Sequence, residues 1–466
     1  MKKLLLIFAL LFTAAASQAV VKTVPAQYST IQAAINASAN GDTIMVSPGT
    51  YFENINFRGK KIVLTSQFYV TQNISTIYST VINGSTPSQP DSGSCVIINN
   101  GEDSTTVLQG FAITGGSGTK WNDEHGAGLY REGGGILVQF SSPVIKDNII
   151  YNNVINNVTG VNSTGGGGIR IGDSYVGFYN NIVMNNTARY GAGIVLNYCG
   201  GEYRNNVVCA NYGSYQFGAG SGFWLNGHFT RPTVIENNTI TGNSATSSIS
   251  GVYGNGGVTA TIQNNIMWGN TSPNPTQVQG PGFTLRYNDI QNGPSFSGNI
   301  SIDPQFRDSN YVLAAGSPCI DKGDSSTQFN DREDPNNTGF AKYPSLGGLR
   351  NDIGAYGGPL ARILTGQLIG INDPVTSIPN DFRLYQNYPN PFNPTTNITF
   401  ELPEQGIAEL RVYDISGKEI ALLSSGYKPT GRHEVTFDAS ILSSGVYFYT
   451  LKTDKVLLTR KMILIK

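Results

Sequence analysis

The chain has 466 residues, enough for two or three domains, and its charges almost cancel, with 30 Lys and Arg against 31 Asp and Glu. Only 13% of the residues are charged, so the basic surplus that binds nucleic acid or a membrane surface is missing, and we expect neither partner. Glycine accounts for 56 of the 466 residues, well above its usual frequency of about 7%. This excess predicts many tight turns.

The N-terminus has the pattern of an export signal. Two lysines precede an apolar run over residues 4–16, and a small-x-small cleavage site ends at Ala19. The run is shorter than the ~20 residues that span a bilayer. We therefore expect residues 1–19 to be a signal peptide.

A short helix is predicted over residues 28–36. Ile31 and Ile35 give it one apolar face, Ser29 is the expected N-cap, and Gln32 completes a capping box. Short strand-like runs separated by turns follow, at residues 43–46, 62–64, 81–82, 96–98 and 107–114.

Six asparagine-rich tags then recur along the middle of the chain. They start at Asn148, Asn180, Asn205, Asn237, Asn264 and Asn288. A Gly-Ile pair lies 13 residues before a tag asparagine in three cases, and a Gly-Phe pair lies 16 before it in a fourth: Gly135 before Asn148, Gly168 before Asn181, Gly193 before Asn206, and Gly222 before Asn238. A period of about 20–50 residues predicts a solenoid, whose coils bury a core only by stacking. Asparagine suits a left-handed turn, and stacked asparagines can hydrogen-bond from coil to coil.

The start of this region resembles a known fold. Residues 30–35 (TIQAAI), 41–44 (GDTI) and 48–51 (PGTY) are similar to the N-terminal cap and first coil of right-handed parallel β-helix proteins, the pectin-lyase-like fold. The asparagine tags resemble the coils of the same superfamily. The resemblance implies about three short strands per coil, with the N-terminal helix shielding the open end of the stack over residues 20–300.

The coils fade after residue 289, and a different tail follows. Residues 303–356 resemble the closing segment of many secreted bacterial β-helix proteins, so we expect a C-terminal cap over 301–360 and a linker over 361–379. Two acidic stretches in this cap, 321–324 (DKGD) and 331–334 (DRED), make Ca²⁺ a possible ligand, although polar turns explain them better.

The last 87 residues, 380–466, change character. The motif YPNPFNPTT at 388–396 precedes alternating strands with turn residues about every ten positions, which predicts a small antiparallel β-sandwich. This part closely resembles the C-terminal sorting domain of type IX secretion cargo. The resemblance implies that the type IX machinery is a partner and that the protein is secreted or held at the outer-membrane cell surface. The predicted architecture is thus all-β: a right-handed parallel β-helix followed by a small β-sandwich, in a protein expected to be monomeric.

Strand alternation predicts one external face on the repeats. One row of side chains pointing outward should be Leu137, Arg170, Val195 and Trp224, and a second row Gln139, Gly172, Asn197 and Asn226, with His228 just beyond. Insertions at 115–134, 155–167 and 212–221 precede these strands and are rich in aromatic residues. Loops, aromatic rings and amides in this arrangement suit a polysaccharide. The predicted ligand-binding residues are Arg170, Trp224, Asn197, Asn226, His228 and Gln139; the alternative is an inert aromatic face.

Catalysis has weaker support from the sequence. β-Helix lyases use Lys or Arg as a base against a uronate, commonly with Ca²⁺, and the candidate residues here are Arg170, Arg189, His125 and Asp123. The loop at 121–125 (WNDEH) is either part of a site or a solvated tip. The carboxylate blocks of polygalacturonases are absent. A glycan-binding protein and a uronate lyase therefore both remain open.

Four cysteines are too few for a disulfide framework in a chain of this length. Cys199 and Cys209 either pair across a turn or remain buried thiols, and burial is the better interpretation.

Overall fold

The computed structural model of the chain describes residues 19–156, 159–214, 219–227, 229–308, 310–363, 382–387, 390–403, 406–428 and 431–465. They belong to two compact units that divide between Gln367 and Leu368. The expected signal peptide, all but its last residue, and most of the expected linker lie outside the described residues. Within the described part, no helix has the length and apolar character needed to cross a membrane.

The first unit is built on three long sheets in which every neighbouring pair of strands is parallel. Sheet A contains Val21–Val24, Thr43–Val46, Val63–Ser66, Val107–Gln109, Val144–Lys146, Tyr175–Tyr179, Gly200–Arg204, Thr233–Glu236, Thr259–Gln263 and Gly282–Arg286. Sheet B contains Gly49–Tyr51, Thr80–Asn83, Ala112–Thr114, Ile149–Tyr151, Ile182–Met184, Val207–Cys209, Thr239–Thr241, Ile266–Trp268 and Asp289–Ile290. Sheet C contains Ile55–Asn56, Val96–Ile98, Ile136–Gln139, Ile169–Gly172, Ile194–Asn197, Phe223–Asn226, Val252–Asn255 and Val278–Gln279.

Each coil of the chain contributes one strand to each sheet in turn, and the next coil stacks on it in parallel. The coil that begins at Tyr175–Tyr179 continues through Ile182–Met184 to Ile194–Asn197, for example. This is the parallel β-helix expected from the tags. The predicted run at 107–114 is divided between sheets A and B, because Gly110 has a φ of 83° and turns the chain between them.

One continuous core fills the space between the three sheets. The residues of sheet C predicted to point inward all belong to it: Ile136, Val138, Ile169, Ile171, Ile194, Leu196, Phe223 and Leu225. Burying a side chain of this kind stabilises the fold by about 1.5–3 kcal/mol. Since a single coil has no apolar layer above or below it, this burial exists only in the stack.

Two columns of buried side chains run through the turns on either side of sheet B. In both columns, the side-chain oxygen of one member accepts two hydrogen bonds from the member in the coil before it. One comes from the backbone N–H of that residue and the other from its side-chain amide, as between Asn181 and Asn206 and between Asn186 and Asn211. The first column is Asn148, Asn181, Asn206, Asn238, Asn265, Asn288 and Asn299; the second is Asn153, Asn186, Asn211, Asn243, Asn270 and Gln277. The residue before each member of the first column up to Asn288 has a left-handed φ, 51° at Asn180 and 56° at Asn205. Both expected roles of asparagine are therefore present, at adjacent positions.

The N-terminal end of the stack is covered by helix α1 (Ile31–Ala37). Ile31, Ala34 and Ile35 are fully buried in the common core. The N-cap is Thr30, whose hydroxyl accepts from the Ala33 amide at 3.1 Å, rather than the predicted Ser29. The Glu53 carboxylate accepts the backbone amides of Ile31 and Gln32 at 2.8 and 2.9 Å. A carboxylate distant in sequence therefore caps the first turn of the helix, in place of the capping box predicted with Gln32. Two short helices, α2 (Phe68–Thr71) and α3 (Ser75–Ser79), follow in the next coil.

After the last coil the chain turns back along the side of the stack. We call residues 351–363 the return segment. Its backbone is held by the left-handed turn residues of successive coils: Asn264 accepts from the Gly354 amide, Asn237 donates to the Asp352 and Gly354 carbonyls, and Asn205 donates to those of Ala355 and Gly357. At its far end Arg362 pairs with Asp147 at 3.0 Å and donates to Gln72 at 2.6 Å. The segment thus crosses several coils.

Two carboxyl groups in the segment that follows the coils are buried beside each other. Burial, with the charge of Asp352 adding to it, raises the pKa of Asp331 to about 8, and burial raises the pKa of Asp352 to about 7. The Asp352 amide donates to both Asp331 oxygens, at 3.3 and 3.2 Å. The folded protein therefore holds a proton that the unfolded chain releases near pH 3.8, the usual pKa of an aspartate side chain.

A pH dependence follows from this pair. Because the folded pKa is raised, the stabilisation is complete below about pH 4 and is lost as the pH rises through about 8. We expect the thermal midpoint of the chain to fall between pH 5 and pH 8.5, and the Asp331→Asn variant to show a smaller fall. Thermal melts of both proteins in matched buffers measure this, and an equal fall in both would contradict it.

The second unit contains two antiparallel sheets over its own core. One sheet consists of Arg383–Leu384, Thr395–Leu402 and Gly431–Asp438, and the other of Gly406–Tyr413, Glu419–Lys428, Gly445–Lys452 and Leu457–Leu464. Phe400, Leu410, Tyr449 and Met462 are buried between them. The sandwich expected here is confirmed; Tyr388 and Pro389 of its motif lie outside the described residues.

All four cysteines are free and buried, in agreement with the preferred interpretation of Cys199 and Cys209. Burial raises the pKa of each of these two thiols to about 12. They are inert core residues rather than reactive groups.

Candidate functional site

A small mixed sheet covers part of the outer face of sheet C. It consists of Ser92–Gly93, Gly118–Asp123, Gly128–Glu132 and Ser163–Gly165. Its centre is a hairpin in which Gly118–Asp123 pairs antiparallel with Gly128–Glu132, so that Trp121 lies opposite Tyr130. The predicted loop at 121–125 is therefore a strand up to Asp123 and a turn after it. We call residues 118–132 the hairpin.

The outer face of sheet C has the register that alternation predicts. Leu137, Arg170, Val195, Trp224 and Tyr253 are neighbours in one row. Gln139, Gly172, Asn197, Asn226 and Asn255 form the second row. The first three members of the first row are covered, with exposed fractions of 4%, 0% and 0%, whereas Trp224 and Tyr253 are only partly buried. The hairpin therefore closes the face at one end and leaves it open at the other.

Arg170 lies beneath the hairpin and not on an open surface. Its guanidinium carbon is 3.9 Å from the centre of the Trp121 ring, and its Nε is 3.2 Å from Glu132 Oε2. Its Nη1 donates to Gln139 Oε1, and a side chain at Gly172 would collide with both groups. The prediction that Arg170 is exposed was wrong because strand alternation within sheet C cannot show what packs on top of it.

Where the hairpin ends, a cleft of about 400 Å³ opens along the face. Its aromatic lining is Tyr130, Tyr190, Tyr198, Trp224 and Tyr253, and its polar lining is Asp123, His125, Glu132, Asn162, Ser163, Asn197, Asn226, Ser247, Ser248 and Asn255. The rings of Tyr190 and Trp224 meet at 4.8 Å between centroids. No lysine or arginine is among the described residues that line it.

The hairpin tip is fixed by two turn residues that follow strands of sheet C. Asp173 and Tyr198 have φ angles of 46° and 49°. Asp173 Oδ1 lies 2.9 Å from His125 Nε2, and the Tyr198 ring stacks on the imidazole at 3.5 Å. Left-handed backbone in a bulky residue is uncommon and directs attention to function or strain. Here it places two side chains where they hold the wall of the cleft.

Two carboxylates reach the cleft in different settings. Glu132 is 3% exposed and is held by Trp121 Nε1 at 2.9 Å, by Arg170 and by the Tyr190 hydroxyl. Burial, and then the charge of Glu132, raise the pKa of Tyr190 well above its usual range, so this hydroxyl stays protonated. Asp123 Oδ1 accepts the amides of His125 and Ala127 at 2.9 and 3.2 Å, whereas its Oδ2 accepts a long hydrogen bond from Asn197 Nδ2 at 3.4 Å.

The predicted site residues divide into three groups. Trp224, Asn197, Asn226, His125 and Asp123 all line the cleft. Arg170 and Gln139 lie behind the hairpin, where Gln139 donates to Asp173 at 2.9 Å, and Arg189 is partly buried outside the lining. His228 lies outside the described residues.

Sequence reasoning missed the coil that carries Tyr253 and Asn255. The strand that contains them begins within a Gly-Val pair, Gly251-Val252, in which Gly251 lies 14 residues before Asn265 and so departs by one position from the 13-residue spacing of the three Gly-Ile pairs. Accepting that variant would have extended both outward rows by one residue. Tyr198 gave no signal of this kind, because its orientation depends on its left-handed turn.

The acidic stretches of the cap give no support to a Ca²⁺ site. Within the described residues, no group of three acidic, His or Cys side chains is arranged to hold a metal ion. The Asp321 carboxylate instead accepts the Gly348 amide at 3.1 and 3.0 Å, and Asp324 accepts that of Ser326 at 2.9 Å. Backbone donors therefore occupy oxygens that Ca²⁺ would need.

A larger cavity of about 810 Å³ lies between the return segment and sheet A. Its carboxylates already have protein partners: Asp147 pairs with Arg362, and Glu202 accepts from the Tyr179 hydroxyl at 3.0 Å. It is a gap beneath a connecting segment, and the cleft beside the hairpin is the better candidate for a ligand site.

Comparison with known proteins identifies the second unit. A family model described as the secretion system C-terminal sorting domain matches residues 386–466. No curated protein matches the chain. The C-terminal unit therefore engages the type IX secretion machinery, and the protein is secreted or attached to the cell surface.

Proposed function

For a chain that ends in a type IX sorting domain, we propose that the exported β-helix binds polysaccharide in the cleft beside the hairpin. The observation that carries this proposal is the register of the cleft. Trp224 and Tyr253 occupy one outward row, while Asn197, Asn226 and Asn255 occupy the row beside it, so one amide comes from each of three coils in succession.

This arrangement suits a chain of sugar rings that runs along the stack. Coils of parallel strands are about 4.8 Å apart, which is close to the length of one sugar residue. A glycan laid along the face would therefore meet one amide per ring, and an aromatic side chain at the coils of Trp224 and Tyr253. Rings stack on the indole and phenol faces, and the amides pair with hydroxyls as both donors and acceptors.

The hairpin determines where such a chain can lie. Leu137, Arg170 and Val195 are covered, and Trp121 of the hairpin lies directly on Arg170. The ligand is therefore confined to the row of Asn197, Asn226 and Asn255, to the rings of Trp224 and Tyr253, and to the walls formed by Tyr130 and Tyr190. A walled cleft buries more ligand surface than an open sheet, which is typical of carbohydrate and other small-ligand sites.

Replacing Trp224 by alanine should remove the central stacking platform. We expect glycan affinity to fall at least about tenfold, equivalent to about 1.4 kcal/mol. A glycan array identifies the ligand, and isothermal titration of the wild type and the variant gives the ratio of dissociation constants.

The matched control is Tyr212→Ala. Tyr212 is 37% exposed and is not part of the cleft lining, so its loss should leave affinity unchanged. The proposal fails if the wild type binds no glycan, or if Trp224→Ala and Tyr212→Ala have equal effects.

The sequence left open a uronate lyase, and the cleft favours binding over that activity. A lyase of this kind needs a cationic base and a group to neutralise the uronate carboxylate. The candidate Arg170 is fully buried and ion-paired, and the described lining includes no lysine or arginine.

A further inference from the structure

The carboxylate of Asp123 has no cationic partner in the described part of the chain. It is 7% exposed and lines the cleft. The nearby basic side chains are engaged elsewhere: His125 with Asp173 at 2.9 Å, Arg170 with Glu132 at 3.2 Å, and Arg131 with Asp91 at 2.6 Å. Among the described residues, a single long hydrogen bond, 3.4 Å from Asn197 Nδ2, reaches its Oδ2.

The residues around Asp123 add negative charge. Asp173 and Glu124 lie at the same hairpin tip, where Gln139 Nε2 donates to both, at 2.9 and 3.2 Å. Burial raises the pKa of Glu124, and the charges of Asp173 and Asp123 contribute in the same direction. A buried carboxylate without a cation is costly, and a ligand that supplies N–H donors or positive charge would offset that cost.

We propose that the cleft selects glycans without carboxylates and binds amino sugars most tightly, with the protonated C2 amino group of a sugar residue donating to Asp123 Oδ2. This inference rests on the proposed function, since it specifies the ligand class of the same cleft. It also accounts for the absence of lysine and arginine among the lining residues that the structure describes, because a polyuronate would bring its charges next to Asp123. Neutral glycans can still bind, by donating hydroxyls.

Matched oligosaccharides that differ only in the charged group test this. The probes are hexamers of β-1,4-linked glucose, glucosamine and glucuronate, together with hexamers of α-1,4-linked galactose, galactosamine and galacturonate, presented to the full chain at pH 6 and low salt. In whichever of the two oligosaccharide series binds, we expect the amine form to bind about tenfold more tightly than the carboxylate form. The affinity of the uncharged form should lie between them. Added salt should reduce the difference.

The outcomes separate the two proposals. Tightest binding of a carboxylate form would overturn this inference and leave polysaccharide binding standing. The absence of binding to all six probes and to the glycan array would overturn the proposed function itself.

The variant that tests the role of Asp123 is Asp123→Asn. Its side-chain oxygen can still accept the amides of His125 and Ala127, so the turn is preserved while the charge is removed. We expect the preference for amine over carboxylate to fall to within about twofold. The control is Asp103→Asn, which changes net charge equally at an exposed carboxylate paired with Lys61 at 2.7 Å and should retain the preference. An unchanged preference in Asp123→Asn, with the circular dichroism of the wild type, would contradict the assignment.

Discussion

We expect the free energy of unfolding of the Arg170→Ala variant to be about 3–5 kcal/mol lower than that of the wild type. Its guanidinium is fully buried between the Trp121 ring and the Glu132 carboxylate. Truncation leaves Glu132 buried without its cation and opens a cavity below the hairpin. Equilibrium unfolding of the full chain in urea, followed by circular dichroism, measures the change.

A double variant separates the charge from the space that it fills. In Arg170→Met with Glu132→Gln, both charges are removed together and most of the volume is retained, so we expect much of the lost stability to return. If Arg170→Ala were as stable as the wild type, the ion pair would not support the hairpin. Because Arg170 supports the hairpin from below, Arg170→Ala is a poor test of ligand contact. The variant would disturb the wall of the cleft although Arg170 does not touch the ligand.

The second large effect is expected at Asn181, in the first asparagine column. Its amide donates to the Ile145 carbonyl at 3.0 Å, and its oxygen accepts the Asn148 amide at 3.1 Å. Asn181→Ala leaves these buried backbone groups unpaired, at about 1–3 kcal/mol for each unsatisfied group, so we expect a loss of about 3 kcal/mol. Urea unfolding measures this as well.

The neighbouring residue provides a matched control. Asn180 is also an asparagine of the same tag, but it occupies the left-handed turn with a φ of 51°, and the conformation suits glycine. Asn180→Gly should therefore change the free energy of unfolding by no more than about 1 kcal/mol. Equal losses in both variants would show that the column has no special role.

The sequence predicted the stack well because the stack is periodic. The spacing from Gly168 to Asn181 and from Gly193 to Asn206 predicts the outward rows of sheet C that the structure shows. Register in a parallel sheet follows from side-chain alternation, and a shift by one residue would expose the core.

The hairpin was not predictable in the same way. Its strands pair with Ser92–Gly93 and Ser163–Gly165, which are distant in sequence. The polar run around Asp123 lacks the apolar alternation of the other strands. What buries Arg170 is therefore a tertiary contact between an insertion and a repeat, and local patterns carry no information about it. The N-cap is Thr30 and not the predicted Ser29 for a similar reason, because the distant Glu53 determines where the helix begins.

The return segment has a mechanical consequence when the β-helix is pulled from its C-terminal side. Tension applied beyond residue 363 first meets Arg362, which is tied to Asp147 and Gln72 rather than to the terminal coil. To reach the end of the stack, the pull must peel the segment away from Asn205, Asn237 and Asn264 in turn. The load thus enters along the flank of the solenoid, and the last coil is protected from unravelling.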